Sequence, residues 1–251
     1  MFGDVNELLE RINAEDLVLD VGGWACPFNR ANWVLDSQPY ETRGFYENIG
    51  LPKSQGGDTE QFSEETWIQR DICDKEPWPF SDKFFDFSVC SHTLEDIRDP
   101  LYVCSELIRV SKRGYIEVPS RVIESCRGQE QKKMAGLSHH RWLVEIADNH
   151  IQFTMKYHAI HSQSEFSFPA SFATGLSQRE TISFLYWHHS FTYAETQING
   201  AENVYNDLRS FVEQRYRYPN RILLVRALLR NLNRGVEAVK RRLNWARRLQ
   251  P

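Results

Sequence analysis

Three acidic residues stand at or near the ends of short apolar runs, a pattern that favours ligand binding. They are Asp20 in residues 17–21, Asp36 in residues 31–36 and Asp71 in residues 66–72. If these runs are parallel strands, their carboxyl ends meet at one edge of the sheet, where open α/β sheets bind ligands. Gly22 and Gly23 follow the first run directly, and glycine lets the backbone turn sharply and approach a ligand closely.

A group of carboxylates beside a glycine turn suits a ligand that offers hydroxyl and amino donors. A phosphate site would require glycine amides together with lysine or arginine, and residues 22–30 have neither a P-loop lysine nor its spacing. The alternative for each acid is a helix N-cap, a common role of aspartate. Because three acids follow one pattern, the sequence favours ligand binding over capping.

Histidine is the residue type that could supply a general base, since its pKa lies near neutrality. The preferred candidates are His139 and His140 with the neighbouring Arg141, followed by His92. The alternative is that one imidazole of each adjacent pair packs in the core and the other lies on the surface. The histidines lack metal-ligand spacing, and adjacent ones in a strand point to opposite faces, so the sequence predicts no metal site.

The predicted elements alternate between strands and helices or loops. They are a helix over 5–12 with Asp4 as N-cap and Glu7 completing a capping box, strands over 17–21, 31–36, 66–72 and 84–90, a helix over 101–110 that begins at Asp99 and Pro100, and a strand over 115–118. This order indicates an α/β sheet with right-handed crossovers. Such a sheet would bring the three acids to one rim.

Residues 17–120 resemble the class I S-adenosylmethionine-dependent methyltransferases. The most similar group acts on small molecules (methyltransferase-type-11-like) and has a strand-four motif like SHTLEH. The motifs that carry the resemblance are, in order, VLDVGG, VLD, RDICD, PFSDKFFDFSVCSHTLEDIRDPL and GYIEVPS. The resemblance implies a Rossmann-like fold, S-adenosylmethionine as cofactor and methyl transfer as the reaction.

The resemblance also implies roles for individual residues. Asp20 and Gly22 would lie beside the methionine moiety, with Gly23 providing the close approach, Asp36 would bind the ribose hydroxyls, Asp71 and Ile72 would flank the adenine, and Cys90, Ser91 and His92 would border the sulfonium and the acceptor. The first family motif runs acid-x-Gly-x-Gly-x-Gly, and Trp24 and Cys26 replace its second and third glycines. Asp96 replaces the histidine that is common after SHTLE.

The second half of the chain is predicted to complete the sheet. Residues 141–146 and 151–156 are expected to form a strand pair, and residues 124–138 a helix or a flexible lid over the site. The expected fold is α/β, with a Rossmann-like, mostly parallel seven-stranded sheet, helices on both faces and a C-terminal helical extension. We expect a cofactor-binding core over 1–120, further strands and an acceptor-site insert over 121–200, and C-terminal helices over 201–251.

Composition limits the cellular setting. Hydrophobic residues make up 41% of the chain, enough to bury a core, and no run reaches the ~18 apolar residues of a membrane span. The acidic start lacks the basic and apolar regions of a signal peptide, so we expect a cytoplasmic protein. The five cysteines include no Cys-x-x-Cys pair and are expected to be reduced, mostly buried thiols.

Charge divides the chain. Residues 219–251 carry +8 within a net charge of −4, so the remainder carries −12. Residues 221–249 alternate aliphatic residues and arginine at helical spacing, with Trp245 near the end. Such a basic amphipathic helix can lie on an anionic membrane surface, here the inner face of the cytoplasmic membrane. The alternatives are that it packs on the acidic body or on a second copy in a homo-oligomer.

Together these observations favour a methyltransferase acting on a small hydroxylated acceptor such as a sugar or glycan precursor, with O-methylation preferred. The alternative is a catalytically silent methyltransferase fold that serves as a binding or assembly subunit, which the replaced glycines favour. Nucleic-acid methylation is disfavoured because the body is acidic and an Asn-Pro-Pro-Tyr type of motif is absent. The sequence does not identify the acceptor atom.

Overall fold

The computed structural model describes residues 3–216. The chain divides into two compact units, residues 1–209 and residues 210–251. Within the second unit, the description covers residues 210–216, which include the end of a helix. The predicted basic helix over 221–249 therefore lies outside the described residues.

Nine strands and six α-helices are assigned within residues 3–216. The strands are β1 (Val18–Val21), β2 (Trp33–Asp36), β3 (Trp67–Gln69), β4 (Phe85–Ser91), β5 (Ser111–Pro119), β6 (Trp142–Ala147), β7 (His150–Met155), β8 (Ile182–His188) and β9 (Thr192–Thr196). The helices are α1 (Val5–Glu10), α2 (Pro100–Val110), α3 (Arg121–Glu124), α4 (Ala170–Ala173), α5 (Gln178–Thr181) and α6 (Ala201–Glu213). Short 3-10 helices occupy Tyr40–Thr42, Phe45–Ile49, Glu64–Thr66, His158–His161 and Ser164–Phe166.

The main sheet has the strand order β3-β2-β1-β4-β5-β8. The first five strands are parallel and β8 runs antiparallel to β5. From β1 the chain moves outward to β2 and β3, and it then returns to place β4 on the other side of β1. This reversal makes the gap between the carboxyl ends of β1 and β4 the topological switch point, where such sheets bind ligands. The predicted parallel α/β fold is confirmed.

Both faces of the main sheet are covered. On one face, Leu19 and Val21 of β1 pack in a cluster with Val103 and Leu107 of α2. On the other face, Val18 packs in a cluster with Leu8 of α1. The central strand β1 therefore buries both of its sides, which explains its unbroken apolar run in the sequence.

The strand pair that was expected to complete the main sheet forms a separate one. β6 and β7 pair as an antiparallel hairpin, and β9 adds to β7 in a three-stranded sheet. Val144 and Phe153 join the core on one face of the main sheet, whereas Leu143 packs in a third cluster with Leu208 of α6. Because both faces of the hairpin are apolar, it stacks as a layer and does not extend an edge. The strand pair was therefore predicted in the wrong sheet, and residues 3–216 supply six of the seven strands expected in the main sheet.

Other element boundaries differ in detail from prediction. β3 ends at Gln69, so Asp71 lies in the following turn and does not close the strand. The insert expected over 124–138 as a helix or lid is helical only up to Glu124, in α3, and continues as turns and bends. No helix within residues 3–216 has the length and apolar character needed to cross a membrane.

The helix ends follow their capping residues. The Asp4 side chain accepts a hydrogen bond from Glu7 N at 3.0 Å and caps α1, but the Glu7 carboxylate accepts from Arg11 at 2.9 Å, an ion pair in place of the second half of the predicted capping box. Asp99 caps α2 by accepting from Tyr102 N at 2.9 Å, with Pro100 in the first turn. All five cysteines are free and buried, as predicted.

Candidate active site

A cleft of about 950 Å³ opens at the carboxyl edge of the main sheet, beside the switch point. It brings together seven of the residues that the sequence singled out. These are Gly22, Asp36, Asp71, Ile72, His92, His139 and His140. Cofactor candidates from the first three strands and base candidates from the later chain therefore share one cavity.

Asp20, Gly23 and Ser91 lie at a smaller cavity of about 30 Å³ that also borders Gly22 and His92. Burial raises the pKa of Asp20 from 3.8 to about 7, although a hydrogen bond from Phe28 N at 2.9 Å opposes that shift. The buried Ser91 hydroxyl has no hydrogen-bond partner among the described residues. A buried acid beside an unpartnered hydroxyl suits a ligand that brings its own donors.

Two predicted residues line neither cavity. Cys90 is fully buried in the apolar core and lines neither cavity, and burial raises the pKa of its thiol well above the usual value. Arg141 is exposed, and its backbone N–H donates to Glu95 O at 2.7 Å. Arg141 therefore contacts the site through its main chain, which bonds to that of Glu95, and its side chain is exposed.

Asp36 is buried at the end of β2, and its carboxylate accepts two backbone hydrogen bonds. Gln38 N donates to Oδ1 at 2.8 Å and Trp24 N donates to Oδ2 at 3.1 Å. Burial raises the pKa of Asp36 despite these bonds. Each oxygen retains a lone pair, so the carboxylate can also accept from two neighbouring hydroxyls of a ligand.

Trp24 stands at the position of a family glycine and bonds to the segment on the other side of the cleft rim. Its indole Nε1 donates to Thr42 O at 2.8 Å and to Thr42 Oγ1 at 3.0 Å, and its carbonyl accepts from Gly44 N at 2.8 Å. Its ring stacks on Phe45 with centroids 5.0 Å apart. Trp24 thus fixes the segment that follows β2 to the loop that follows β1.

The paired glycines make room for protein side chains. Gly22 has a φ of +78°, and a Cβ there would lie 2.3 Å from Thr93 Oγ1. A Cβ at Gly23 would lie 2.1 Å from Asp20 Oδ2. The sequence predicted that the two glycines permit a close approach to a ligand. In the structure, the space that a side chain at either position would fill is occupied by Thr93 and Asp20 at the switch point.

We expect Gly22→Ala to destabilise the fold more than Gly50→Ala does. Both glycines have a φ of +78°, but nothing lies within 4 Å of a Cβ at Gly50. Both variants strain a left-handed backbone, but only Gly22→Ala also overlaps with Thr93. The difference in stability between them therefore measures the overlap, and overpacking of this kind costs roughly 1–3 kcal/mol. Urea unfolding of the two variants measures the difference, and equal losses of stability would contradict the expectation.

His92 is held in an uncommon conformation by a buried acid. Its φ is +51°, in the left-handed region that non-glycine residues rarely adopt. His92 Nε2 lies 3.1 Å from Glu117 Oε1, and the other Glu117 oxygen accepts from Gly3 N at 2.9 Å and from the Tyr115 hydroxyl. Burial would raise the pKa of Glu117, but the hydrogen bonds from His92, Tyr115 and Gly3 lower it overall. Backbone strain of this kind is concentrated at functional sites.

His140 belongs to a second buried pair. Its Nδ1 lies 2.9 Å from Glu124 Oε1, and Lys156 Nζ donates to Glu124 Oε2 at 2.6 Å. Burial opposes the charged form of His140, but the hydrogen bond with Glu124 and the charges of Glu124 and Glu95 raise its pKa overall. His139, in contrast, is exposed at the rim of the cleft.

Glu95 lies between these two histidines. Its Oε1 is 3.8 Å from His92 Nδ1 and 3.8 Å from His140 Nε2. The side chain is 1% exposed, and neither carboxyl oxygen has a hydrogen-bond partner among the described residues. Burial raises its pKa, against the opposing effect of the two histidines.

Sequence reasoning missed the three glutamates and Lys156. Glu117 carried a usable signal, because an acid inside a predicted buried strand needs a partner. Glu95 follows the apolar Leu94 within the quoted SHTLED motif, but no local pattern shows that it is buried. Glu124 and Lys156 are 32 residues apart and had no such signal. Within residues 3–216, no group of three or more His, Cys, Asp or Glu side chains is arranged to hold a metal ion.

A mostly parallel, Rossmann-like sheet with a cleft at its switch point is the fold of class I S-adenosylmethionine-dependent methyltransferases and of other doubly wound α/β proteins, and acids at or after the ends of β2 and β3 line the cleft here. A family model described as methionine biosynthesis protein MetW matches residues 3–133. The chain belongs to this family, which is methyltransferase-like. A search of curated proteins finds no match.

Solved structures of methyltransferases are also similar to this chain. A putative methyltransferase from Haloferax volcanii, solved in complex with the Trm112 methyltransferase activator, is 20% identical, with 47% of this chain and 52% of that chain covered and a TM-score of 0.33. A putative methyltransferase from Bacillus halodurans is 20% identical over 47% and 52% of the two chains, with a TM-score of 0.32. A third, from Listeria monocytogenes, is 14% identical over 58% and 72%, with a TM-score of 0.34. The chain spans about half the length of the first two.

Proposed function

We propose that the protein is an S-adenosylmethionine-dependent methyltransferase that acts on a small hydroxylated acceptor, such as a sugar or glycan precursor, at oxygen. The observation that carries the proposal is the single cleft that joins Asp36, Asp71 and Ile72 to His92 and His140. A methyl donor and an acceptor must meet in one cavity, and the main contribution of such an enzyme is to position them.

The chemistry of the residues present fits the cofactor. The cleft volume lies within the range of small-molecule sites. Asp36 would accept from the ribose hydroxyls, Asp71 and Ile72 would flank the adenine, and Asp20 with the unpartnered Ser91 hydroxyl would meet the methionine end. When bound, S-adenosylmethionine supplies a methyl group activated by its positively charged sulfur.

In this proposal His92 is the general base. In the tautomer that this role requires, His92 Nε2–H donates a hydrogen bond to Glu117 Oε1, which leaves the lone pair on Nδ1. Nδ1 can take the proton of an acceptor hydroxyl as its oxygen attacks the methyl group. The carboxylates of Glu117 and Glu95 would then stabilise the imidazolium.

A second candidate is a silent methyltransferase fold that binds a ligand or a partner without catalysis. Two observations favour it. Trp24 replaces a family glycine and stacks on Phe45 at the cleft, and the cavity beside Asp20 is only about 30 Å³, room for about one water. The methionine end of a cofactor would enter there only if the loop after β1 moved.

Asp36→Ala should weaken binding of S-adenosylhomocysteine by about 1.5–3 kcal/mol, roughly 10- to 150-fold. The reason is that charge-assisted hydrogen bonds from two ribose hydroxyls to the carboxylate would be lost. Isothermal titration calorimetry measures the change, and a melting curve checks that the variant is folded.

Asp58→Ala is the matched control, because Asp58 is exposed and lies outside the cleft. A normal affinity in folded Asp36→Ala would contradict the assigned role of Asp36. If the wild-type protein gives no heat with either S-adenosylmethionine or S-adenosylhomocysteine, the enzyme proposal fails. If the protein binds the cofactor but transfers no methyl group, the silent alternative is favoured.

A further inference from the structure

The cleft is rich in acids and lacks permanently charged basic side chains. Its described lining includes five carboxylates and three histidines, and no lysine or arginine. The carboxylates are those of Asp36, Asp71, Glu95, Asp96 and Glu124. A phosphate or carboxylate on the acceptor would meet like charge there, which opposes binding.

Three of these acids already have partners or a proposed ligand. Asp71 accepts from Arg98, and Glu124 is paired with Lys156 and His140. Asp36 is assigned to the cofactor ribose. Glu95, whose contacts with His92 and His140 are 3.8 Å long, and the adjacent Asp96 remain.

Glu95 is a buried carboxyl group without a hydrogen bond within residues 3–216, and its contacts with the imidazoles of His92 and His140 are long, at 3.8 Å. It is 1% exposed, lines the cleft and has no hydrogen bond to either oxygen among the described residues. Burying a carboxylate without a partner is costly. The charge of Glu95 must therefore be compensated by the two histidines or by a ligand. Asp96 is exposed and can contact a ligand directly.

The negative charge of the two acids reaches the interior of the cleft. Tyr46 lines both cavities, and burial followed by the charges of Glu95, Cys26 and Asp96 raises its pKa. Tyr46 belongs to the 3-10 helix Phe45–Ile49, which also lines the cleft.

We propose that the acceptor carries a protonated amino group, bound directly by Asp96 and stabilised by the charge of Glu95. This inference deepens the proposed function and rests on it, since it concerns the acceptor of the same site. The amino group is the recognition group, and the methylated atom is the neighbouring hydroxyl that faces His92. Acceptors that carry a phosphate are disfavoured.

Three sugars of similar size test the charge preference directly. Glucosamine, glucose and glucose 6-phosphate are titrated into the full-length protein, with and without saturating S-adenosylhomocysteine, and binding is followed by saturation-transfer NMR. We expect glucosamine to bind at least about tenfold more tightly than glucose, and glucose 6-phosphate to bind most weakly, as expected for a charge-assisted contact.

Two variants assign the preference to the named acids. Asp96→Asn should reduce the affinity for glucosamine and leave that for glucose unchanged, and Glu95→Gln should reduce the affinity for glucosamine by a smaller factor. Asp58→Asn, another exposed aspartate but outside the cleft, should change neither. Because Asp96 is exposed, its variant should fold normally.

The outcomes separate this inference from the proposed function. Failure of glucosamine to bind, binding of glucose 6-phosphate at least as tight, or an unchanged affinity in Asp96→Asn would overturn the amine proposal. If the protein binds S-adenosylhomocysteine and still shows no amine preference, only this inference fails. If it binds no S-adenosylhomocysteine, the proposed function fails, whatever the order of the sugars.

Discussion

Lys156→Met should lower the free energy of unfolding by about 3–5 kcal/mol. Lys156 Nζ donates to Glu124 Oε2 at 2.6 Å and to Leu137 O at 2.7 Å, and both charged side chains are about 3% exposed. Removing one member of a buried ion pair leaves the other charge undercompensated, here with His140 as its remaining partner, and this costs far more than the pair itself contributes. Urea unfolding at neutral pH measures the loss.

Lys75→Met provides the surface comparison. Lys75 pairs with Asp99, but its side chain is 71% exposed, so its loss should cost no more than about 1 kcal/mol. The double variant Lys156→Met with Glu124→Gln should recover part of the stability, since no unpaired carboxylate is left behind. If Lys156→Met and Lys75→Met lower the free energy of unfolding by the same small amount, Lys156 is not needed to compensate the charge of Glu124.

Asp20→Asn should stabilise the protein at pH 8 and have little effect near pH 4. Burial raises the pKa of Asp20 from 3.8 to about 7 in the folded protein. Between these values the folded state holds a proton that the unfolded state has released, so wild-type stability falls as the pH rises from about 4 to 7. Three pKa units correspond to about 4 kcal/mol as an upper limit. Asparagine removes the charge and keeps a carbonyl oxygen for Phe28 N.

The same variant should bind the proposed cofactor less tightly. If ionised Asp20 meets an ammonium group, wild-type affinity for S-adenosylhomocysteine should rise as the pH increases through about 7, and Asp20→Asn should lose that rise. Urea unfolding and calorimetry at pH 5 and pH 8 check both effects, with Asp58→Asn as the exposed control. If Asp20→Asn destabilises the protein at pH 8 as much as at pH 5, the ionised Asp20 carboxylate is not the buried, costly charge that is assigned here.

The core strands and the first helix ends were predictable because their signals are local. An apolar run such as residues 17–21 has few alternatives to a buried strand, and Asp99 with Pro100 marks a helix start whatever the fold around it. The switch-point acids were predictable for the same reason, together with the resemblance of the ordered motifs.

The second sheet and the glutamate network were not predictable, because they depend on contacts between distant segments. Residues 142–155 carry the pattern of a hairpin, but nothing in that pattern distinguishes a strand pair at a sheet edge from one stacked on a sheet face. Glu95, Glu117 and Glu124 come from three separate segments of the chain and are linked through His92 and His140. Their roles follow from the fold and not from spacing.

The hydrogen bonds that Trp24 makes across the rim of the cleft affect the thermodynamics of ligand binding. A glycine loop after β1 would be free to sample many conformations, and a ligand would have to order it. Here the indole and main chain of Trp24 are bound to Thr42, Gly44 and Asp36, so the conformational entropy of this rim is already lost when the chain folds. A ligand that fits the fixed rim therefore meets a smaller entropic penalty, whereas one that requires the loop to open must first break these contacts.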